Sequence, residues 1–398
     1  MPSSSRPYNL RGQVAVVGIG ETPQGRLPGK TSYDLYVDAA EQAIKDAGLK
    51  KSQIDGLITQ GSFITPHQRH HLIVADRLGL GPRRYNEFSM MGGCAAGYIR
   101  HAMNVVANGM CDYMLLVGAD NLLTNAERTG ALQSMMGIHD LEFVEPYGNL
   151  PASNMAMMVR RHMHEYGWTS EQFAEVAVTL RHHASLTPGA FHQKPITREE
   201  VLSSRMISDP FRLLDCSIVT DGGVALILTS AERAKDLPHK PVYAMGEGGL
   251  FTSYYTPGFP DLVDYPRWML STVAKEAFAK AGIAPTDVDV IGLPDVFTGV
   301  VPIVLEGCGF CDKGEGGEFV ASGAIRLGGR YPINTHGGNH SYSHPGNPGQ
   351  TFNATELVRQ LRGKEGARQV KDAEIGFLYS FGGTMAQHSA VVFSNQPN

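Results

Sequence analysis

The sequence lacks the features that would assign it to a membrane, secreted or nucleic-acid-binding class. No run of about 18 apolar residues occurs, so no membrane span is expected. The first eleven residues are polar, contain proline and lack the apolar core of a signal peptide. The formal net charge is only −5 and no block of like charges occurs, which makes nucleic acid and anionic membranes poor default partners.

Cysteine is also scarce, with five residues in a chain of 398. An odd number argues against a disulfide framework and favours a reducing compartment, so we expect a cytoplasmic protein. Cys308-Gly-Phe-Cys311 is an isolated pair without further ligands at finger-like spacing. We therefore interpret it as structural and expect no metal site. Glycine is abundant at 46 residues, which is typical of an α/β enzyme with many tight strand–helix connections.

A short pattern recurs along the chain at an offset of 234 residues. Residues 43–49 resemble residues 277–283, and the strand-like segment 54–57 resembles 288–291. A helix end and a strand that repeat at one offset predict a duplicated α/β unit with two pseudo-symmetric halves. The alternative is one long doubly wound sheet.

The segment between the core elements of the two halves differs from them in amino-acid composition. Residues 121–208 are rich in Met, His and Arg and have helical spacing at 152–166 and 170–184, which predicts an inserted, mainly helical loop domain. Long insertions in α/β enzymes commonly cover the active site. We therefore divide the chain into an N-terminal half (1–120 with 209–240), the insertion (121–208) and a C-terminal half (241–398). Within the first half, Ser32 is expected to cap a helix that stops at Gly48.

The candidate nucleophile is Cys94. It follows a glycine-rich segment that includes Gly92 and Gly93, and it precedes helical spacing over 98–108. The free N–H groups and the dipole at a helix N-terminus should lower the thiol pKa and favour thiolate. The backbone N–H of Cys94 could also serve half an oxyanion hole. The alternative is a buried cysteine that acts as a small apolar residue.

A second candidate segment is the loop 334–346. It carries three histidines and a tyrosine: His336, His340, Tyr342 and His344. Histidine is the natural general base near neutral pH, and a catalytic cysteine needs such a partner. The glycines and the proline of the loop break any helix that would align the histidines for a metal ion. The alternative is a polar surface loop.

These segments, taken together, resemble the thiolase superfamily and in particular its sterol-carrier-protein-X type branch, nearly end to end. The most branch-specific stretches are 156–167, 195–197, 204–210, 212–216 and 220–225. The resemblance implies an α/β duplicated thiolase fold in a layered α-β-α-β-α arrangement with an inserted loop domain. It also implies a homodimeric core.

The resemblance also assigns roles to single residues. Cys94 matches the family's acyl-accepting nucleophile, and His344 lies in the match to its Gly-His-Pro loop, whose histidine activates the cysteine. Gly383 matches the C-terminal glycine turn that helps to bind the thioester oxygen. The backbones of Cys94 and Gly383 are therefore the expected oxyanion-binding groups.

The sequence departs from the family pattern in two positions of the site. Ser380 stands where the family has its second cysteine, an acid/base, and Pro294 stands where relatives carry an Asn, His or Tyr. An unassisted serine hydroxyl is a poor base near pH 7. Four side chains are candidates to replace the missing groups: His336, His340, Tyr342 and Ser380.

The activity that the resemblance implies is cleavage or formation of the C2–C3 bond of a 3-oxoacyl-CoA through an acyl-cysteine. Coenzyme A would be a co-substrate, and no tightly bound cofactor is expected. Bulky aromatic or steroid-derived acyl groups are expected, with a benzoylsuccinyl-CoA type thiolase as one example. Four residues of the insertion could contact coenzyme A phosphates or, alternatively, form a solvated helix face: Arg160, Arg161, Arg181 and His183.

Two other functions stay open. Some relatives are retro-aldol lyases that cleave a 3-hydroxyacyl-CoA without free coenzyme A and carry tyrosines in place of the cysteine and histidine. Retention of Cys94 and His344 argues against this activity. The chain could instead be a lipid-binding or acyl-CoA-binding scaffold that depends on a small partner of the OB-fold and zinc-ribbon type.

Overall fold

The computed structural model describes residues 9–89, 94–129, 142, 145–147, 150–252 and 259–397. Gly92 and Gly93, the predicted neighbours of Cys94, and part of the insertion lie outside the described residues. The strands are β1 Val14–Glu21, β2 Gly56–Gln60, β3 Tyr85–Ser89, β4 Tyr113–Asn121, β5 Met206–Ser208, β6 Phe211–Arg212, β7 Asp221–Ser230, β8 Val242–Phe251, β9 Val290–Gly292, β10 Ile375–Gly382 and β11 Gln387–Ser394. The helices are α1 Ser32–Asp46, α2 His70–Leu78, α3 Ala95–Ala107, α4 Leu122–Thr129, α5 Pro151–Tyr166, α6 Ser170–Ser185, α7 Arg198–Ser203, α8 Ala231–Ala234, α9 Asp264–Ala281, α10 Val300–Cys308, α11 Gly316–Ala321, α12 Gly338–Ser341 and α13 Thr351–Arg362.

The main sheet has nine strands in the order β3-β2-β4-β7-β1-β8-β11-β10-β9. The two sides of the sheet show the same pairing pattern when each is followed outward from the centre. On one side, β1 pairs with β7 and β7 with β4 in antiparallel fashion, and β4 then pairs with β2 in parallel. On the other side, β8 pairs with β11 and β11 with β10 in antiparallel fashion, and β10 then pairs with β9 in parallel. The halves join where β1 pairs with β8, at Ala15–Tyr243 and Val16–Val242. The predicted duplicated α/β fold is therefore confirmed, and its halves are connected in one hydrogen-bonded sheet.

The same kind of helix–strand contact occurs in both halves, and its two helix residues, Ala43 and Ala277, are separated by the predicted offset of 234 residues. A Cβ on Gly18 of β1 would lie 2.5 Å from the carbonyl oxygen of Ala43 in α1. A Cβ on Gly246 of β8 would collide with the carbonyl oxygen of Ala277 in α9. Only glycine lets each helix approach its strand this closely. Ala43 and Ala277 are one of the residue pairs that repeat in the sequence, so the repeat marks this packing.

Helices cover the strands in layers. α1 and α9 contribute to one large apolar core, whereas α3 and α13 contribute to a second. α3 contacts β4 and β7 of the first half and β10 and β11 of the second, and α13 also contacts both halves. These two helices therefore lie centrally, which places the N-terminus of α3 where the halves meet.

One local prediction is wrong. Thr31, rather than Ser32, caps α1, because its side chain accepts a hydrogen bond from the backbone N–H of Asp34. The hydroxyl of Ser32 instead donates to Asn121 Oδ1 at 2.7 Å. Adjacent Thr and Ser residues offer the same capping chemistry, so the sequence alone does not decide between them.

The inserted segment is helical where the spacing predicts it. α5 and α6 lie within a residue of the predicted bounds, and a small hairpin of β5 and β6 follows them. The domain boundaries at 121 and 208 stay a prediction. Over the described ranges, none of the helices combines the length and the apolar character that crossing a membrane requires.

Candidate active site

Cys94 lies directly before the first residue of α3 and is 1% exposed. Its carbonyl oxygen accepts the first helical hydrogen bonds, from the N–H groups of Gly97 at 3.0 Å and Tyr98 at 3.3 Å. The predicted position at a helix N-terminus is therefore confirmed. The predicted lowering of the thiol pKa is wrong for the resting protein, because burial raises the pKa of the Cys94 thiol and outweighs the hydrogen bonds that lower it.

Two serine side chains, Ser380 of β10 and Ser389 of β11, are polar neighbours of the thiol. The Oγ of Ser380 lies 3.6 Å from Cys94 Sγ and accepts a hydrogen bond from the N–H of Ala96 at 2.8 Å. Because Ala96 occupies a lone pair of the hydroxyl oxygen, the hydroxyl hydrogen is free to point at the sulfur. Ser380 is therefore placed to stabilise a thiolate, which is the form that attacks a carbonyl.

We expect the Ser380→Ala variant to form the Cys94 thiolate less readily. A hydrogen bond to a charged group contributes about 1.5–3 kcal/mol, which corresponds to a loss of roughly 10-fold to 100-fold in thiolate reactivity at neutral pH. The measurement is the rate at which iodoacetamide alkylates Cys94, followed by mass spectrometry of its peptide. Ser394→Ala, a buried serine at the end of β11, is the matched control. Equal rates in wild type and Ser380→Ala would contradict the assigned contact.

His344 is held in one tautomer by backbone groups. Its Nδ1 lies 3.2 Å from the carbonyl oxygen of Ile218, and its backbone N–H donates to Thr220 Oγ1 at 3.0 Å. A carbonyl oxygen only accepts, so Nδ1 carries the proton and Nε2 is the free acceptor. Burial lowers the pKa of His344 to about 4, so the ring is neutral near pH 7. Nε2 is therefore ready to accept a proton.

The segment that follows His344 is tied to the strand that carries Ser380. The side chain of Gln350 donates to the carbonyl oxygen of Phe381 at 2.8 Å and accepts from its N–H at 3.2 Å. The two predicted segments therefore meet at β10. No direct hydrogen bond between Cys94 and His344 occurs among the described residues, so proton transfer between them requires the two groups to come together when substrate binds.

The other candidates for the missing polar groups have different partners. The hydroxyl of Tyr342 donates to Glu21, and the ring of His336 packs on Tyr342 with centroids 4.6 Å apart. The backbone N–H of His340 donates to Asp295 Oδ2 at 3.0 Å. Of the four candidates, Ser380 is the one with an observed contact to Cys94.

The predicted thioester-binding turn lies between β10 and β11. Gly383 adopts a φ of 54°, which only glycine adopts without strain, and its carbonyl oxygen accepts a hydrogen bond from the N–H of Ala386 at 3.2 Å. Since β10 carries Ser380 three residues earlier, the turn follows the same strand that contacts Cys94. The oxyanion role of Gly383 stays a prediction.

The proposed coenzyme A contacts divide into two exposed and two buried side chains. Arg160 and Arg161 are half-exposed and form ion pairs with acidic neighbours. Arg181 is buried and donates to Ser341 Oγ at 2.9 Å, and His183 is buried and accepts from the N–H of Leu327 at 3.1 Å. The two buried residues connect α6 to the C-terminal half, whereas the two arginines of α5 keep exposed guanidinium surface.

We expect the free energy of unfolding to fall steeply between pH 6.5 and about pH 4. Burial lowers the pKa of six histidines to about 4, from an ordinary value of 6.5: His70, His183, His336, His340, His344 and His388. The unfolded chain binds these protons first, so each histidine destabilises the fold by at most about 1.4 kcal/mol per pH unit as the pH falls through this window. Urea unfolding at a series of pH values measures the effect.

Two buried aspartates act in the opposite direction. Burial raises the pKa of Asp120 to about 6 and that of Asp295 to about 7, so both favour the folded state as the pH falls. Among the groups whose pKa burial moves to a value between about 4 and about 7, six histidines outnumber two aspartates, and we therefore expect a net loss of stability. A free energy of unfolding that is constant from pH 6.5 to 4.5 would contradict this balance.

A duplicated α/β sheet with a cysteine at the start of a central helix is the architecture of the thiolase fold. The family model "Thiolase C-terminal domain-like" matches residues 261–395. A solved structure titled "Ltp2-ChsH2(DUF35) aldolase" superposes with a TM-score of 0.83 at 33% identity, over 97% of this chain and 98% of that chain.

Full-length relatives extend the match. The chain is 38% identical over 379 residues to the 17-hydroxy-3-oxo-4-pregnene-20-carboxyl-CoA lyase of Mycobacterium tuberculosis, which covers 89% of this chain and 92% of the relative. It is 34% identical to the acetyl-CoA acetyltransferase of Methanothermobacter thermautotrophicus, over 96% of this chain and 99% of the relative. The benzoylsuccinyl-CoA thiolase subunit BbsB of Thauera aromatica is 28% identical, over 91% of this chain and 92% of the relative. The chain belongs to the thiolase superfamily, in its sterol-carrier-protein-X-like branch, as the sequence predicts.

Proposed function

We propose that the chain is a thiolase that cleaves or forms the C2–C3 bond of a 3-oxoacyl-CoA, with Cys94 as the acyl-accepting nucleophile. The observation that supports this most is the contact of Cys94 Sγ with Ser380 Oγ at 3.6 Å, at the N-terminus of α3. A nucleophilic thiol is needed for acyl transfer, whereas an aldol cleavage needs only an acid and a base.

The cleavage proceeds in two acyl transfers. Nε2 of His344 accepts the proton of the Cys94 thiol, and the thiolate attacks C3 of the substrate. The C2–C3 bond breaks, its electron pair goes to C2 as the enolate of the departing thioester, and a proton returns to that carbon. The thiol of coenzyme A then attacks the acyl-cysteine, which yields the shortened acyl-CoA and restores the Cys94 thiol.

The substrate class that we propose is a bulky aromatic or steroid-derived 3-oxoacyl-CoA from a degradation route. Two similar relatives support this class, since one is named for a pregnene carboxyl-CoA and another for benzoylsuccinyl-CoA. Benzoylacetyl-CoA and acetoacetyl-CoA are suitable paired probes. A higher kcat/KM for the aromatic thioester is the expected result, and a preference for acetoacetyl-CoA would contradict the proposed class.

A retro-aldol lyase is the second candidate, because relatives with high identity are named as a lyase and as a steroid side-chain-cleaving aldolase. The two activities differ in their need for coenzyme A. The test incubates the protein with benzoylacetyl-CoA or with the corresponding 3-hydroxyacyl-CoA, each with and without free coenzyme A. Repeated turnover of the oxo thioester only with coenzyme A supports the thiolase. Turnover of the hydroxy thioester without it supports the lyase.

We also propose a homodimeric core and a small partner subunit of the OB-fold and zinc-ribbon type. The names of two relatives support a partner, since one joins Ltp2 to ChsH2, a DUF35 protein, and the other is called a subunit. Activity of the isolated chain would show that the partner is dispensable. Activity that appears only with the product of a neighbouring gene would show that it is required and would favour the scaffold reading of this chain.

A further inference from the structure

Asn339 is a buried amide that the proposed chemistry does not yet use. It lies in α12, in the same loop as His344, and its side chain is fully buried. Its Nδ2 donates to the carbonyl oxygen of Ser343 at 3.1 Å. A carbonyl oxygen cannot donate, so the amide cannot be flipped and the nitrogen must face the residue that precedes His344.

Asn339 Nδ2 and His344 Nε2 lie at equal distances from one position beside Gly349. A Cβ built on Gly349 would lie 3.0 Å from Asn339 Nδ2, 3.0 Å from His344 Nε2 and in collision with His344 Cδ2. The absence of a side chain at Gly349 therefore leaves both nitrogens beside the same small space. Gly349 is followed by Gln350, whose side chain binds the backbone of Phe381 next to Ser380, so one residue separates this space from a direct link to the strand that contacts Cys94.

The two nitrogens have complementary properties. Nε2 of His344 is an acceptor in the resting protein and becomes a donor only after it has taken a proton. Nδ2 of Asn339 carries two N–H groups, and Ser343 takes one of them. Asn339 Oδ1, in addition, has no hydrogen-bond partner within the described part of the chain. Oδ1 can only accept a hydrogen bond, so the group of Asn339 that can donate to a ligand oxygen is the second N–H of Nδ2.

We propose that Asn339 is a catalytic residue whose Nδ2–H donates to the carbonyl oxygen of the bound acyl group when negative charge develops on it. This assignment rests on the proposed function. Asn339 holds the oxygen from the start of the reaction, and His344 joins as a second donor once it has accepted the proton of Cys94. The backbone N–H of Asn339 donates to Asp295 Oδ1 at 3.0 Å, which fixes the amide in position.

The test is the Asn339→Leu variant, which keeps the size of the side chain and removes both donors. Removing one oxyanion donor typically lowers kcat by about 10²-fold to 10³-fold. We expect that loss with benzoylacetyl-CoA and coenzyme A, with little change in the KM for coenzyme A. The alkylation rate of Cys94 by iodoacetamide should stay at the wild-type value, because alkylation has no carbonyl oxygen to stabilise.

The outcomes separate this proposal from its rivals. A kcat within about twofold of wild type would overturn it. A parallel loss of kcat and of alkylation would also overturn it, because Asn339 would then only position His344. If Asn339→Leu does not fold, Asn339→Ala, which also lacks a side-chain donor, is measured in the same two assays, and the same outcomes decide. A wild-type chain that does not turn over any 3-oxoacyl-CoA would instead refute the proposed function.

Discussion

Replacing Cys94 by alanine is expected to abolish coenzyme-A-dependent cleavage, with kcat lower by about 10⁴-fold or more. Loss of a catalytic nucleophile can cost on the order of 10⁶ in kcat, because the remaining groups still bind substrate but have nothing to acylate. Cys94→Ser keeps the shape and is expected to fail as well, since a serine hydroxyl is a far weaker nucleophile at neutral pH. Steady-state release of free thioester products measures the effect.

Cys111→Ala is the matched control for this variant. Cys111 is also 1% exposed and packs in the same apolar core as α3. Its substitution removes a buried sulfur of equal size and should leave kcat near the wild-type value. Wild-type turnover in Cys94→Ala would refute the acyl-cysteine mechanism outright. A shared loss in both variants would point to damaged packing.

Replacing His344 by glutamine is expected to lower kcat by about 10²-fold to 10⁴-fold, the usual contribution of a general base. Glutamine approximates the size of the ring, but its amide cannot accept a proton at neutral pH. The alkylation rate of Cys94 should fall as well, because the same base generates the thiolate in both reactions. A loss of both turnover and alkylation is expected for His344→Gln, whereas Asn339→Leu is expected to lose turnover alone.

The wild-type pH profile gives an independent check on His344. Its pKa is lowered to about 4 by burial, so the imidazole is unprotonated, and Nε2 is available as a proton acceptor, above about pH 4. Turnover should therefore fall as the pH drops through about 4, or earlier where the protein unfolds, and should show no titration near the ordinary value of 6.5. His70→Gln, which changes another buried histidine with a lowered pKa, controls for stability. Equal losses in the two variants would argue against a catalytic His344.

The fold was predictable because the repeat lies within short segments, in which a helix end and the following strand recur together. Ala43 and Ala277 lie where a helix packs closely against a glycine of the adjacent strand. This packing restricts which residues are allowed in both halves, so the repeat is visible in the sequence. The place of Cys94 at the start of α3 was predictable for a similar reason, since small residues before an apolar helical period mark a helix N-terminus.

The electrostatics of the site were not predictable from the same signals. The helix N-terminus favours a thiolate at Cys94, but the burial that raises its pKa arises from strands far away in sequence, including β10. Asn339 and Gln350 show no periodicity or motif, and their roles depend on contacts that the fold creates. Tertiary contacts of this kind decide pKa values and are invisible to a local pattern.

The central claim is that Cys94 carries the acyl group, and intact mass spectrometry tests it most directly. The protein is mixed with benzoylacetyl-CoA in the absence of free coenzyme A and quenched in acid. The account predicts an adduct with the mass of the benzoyl group, on the peptide that contains Cys94, which disappears when coenzyme A is added and does not form in Cys94→Ser. Cleavage of the thioester without any adduct on Cys94, and without coenzyme A, would contradict the account.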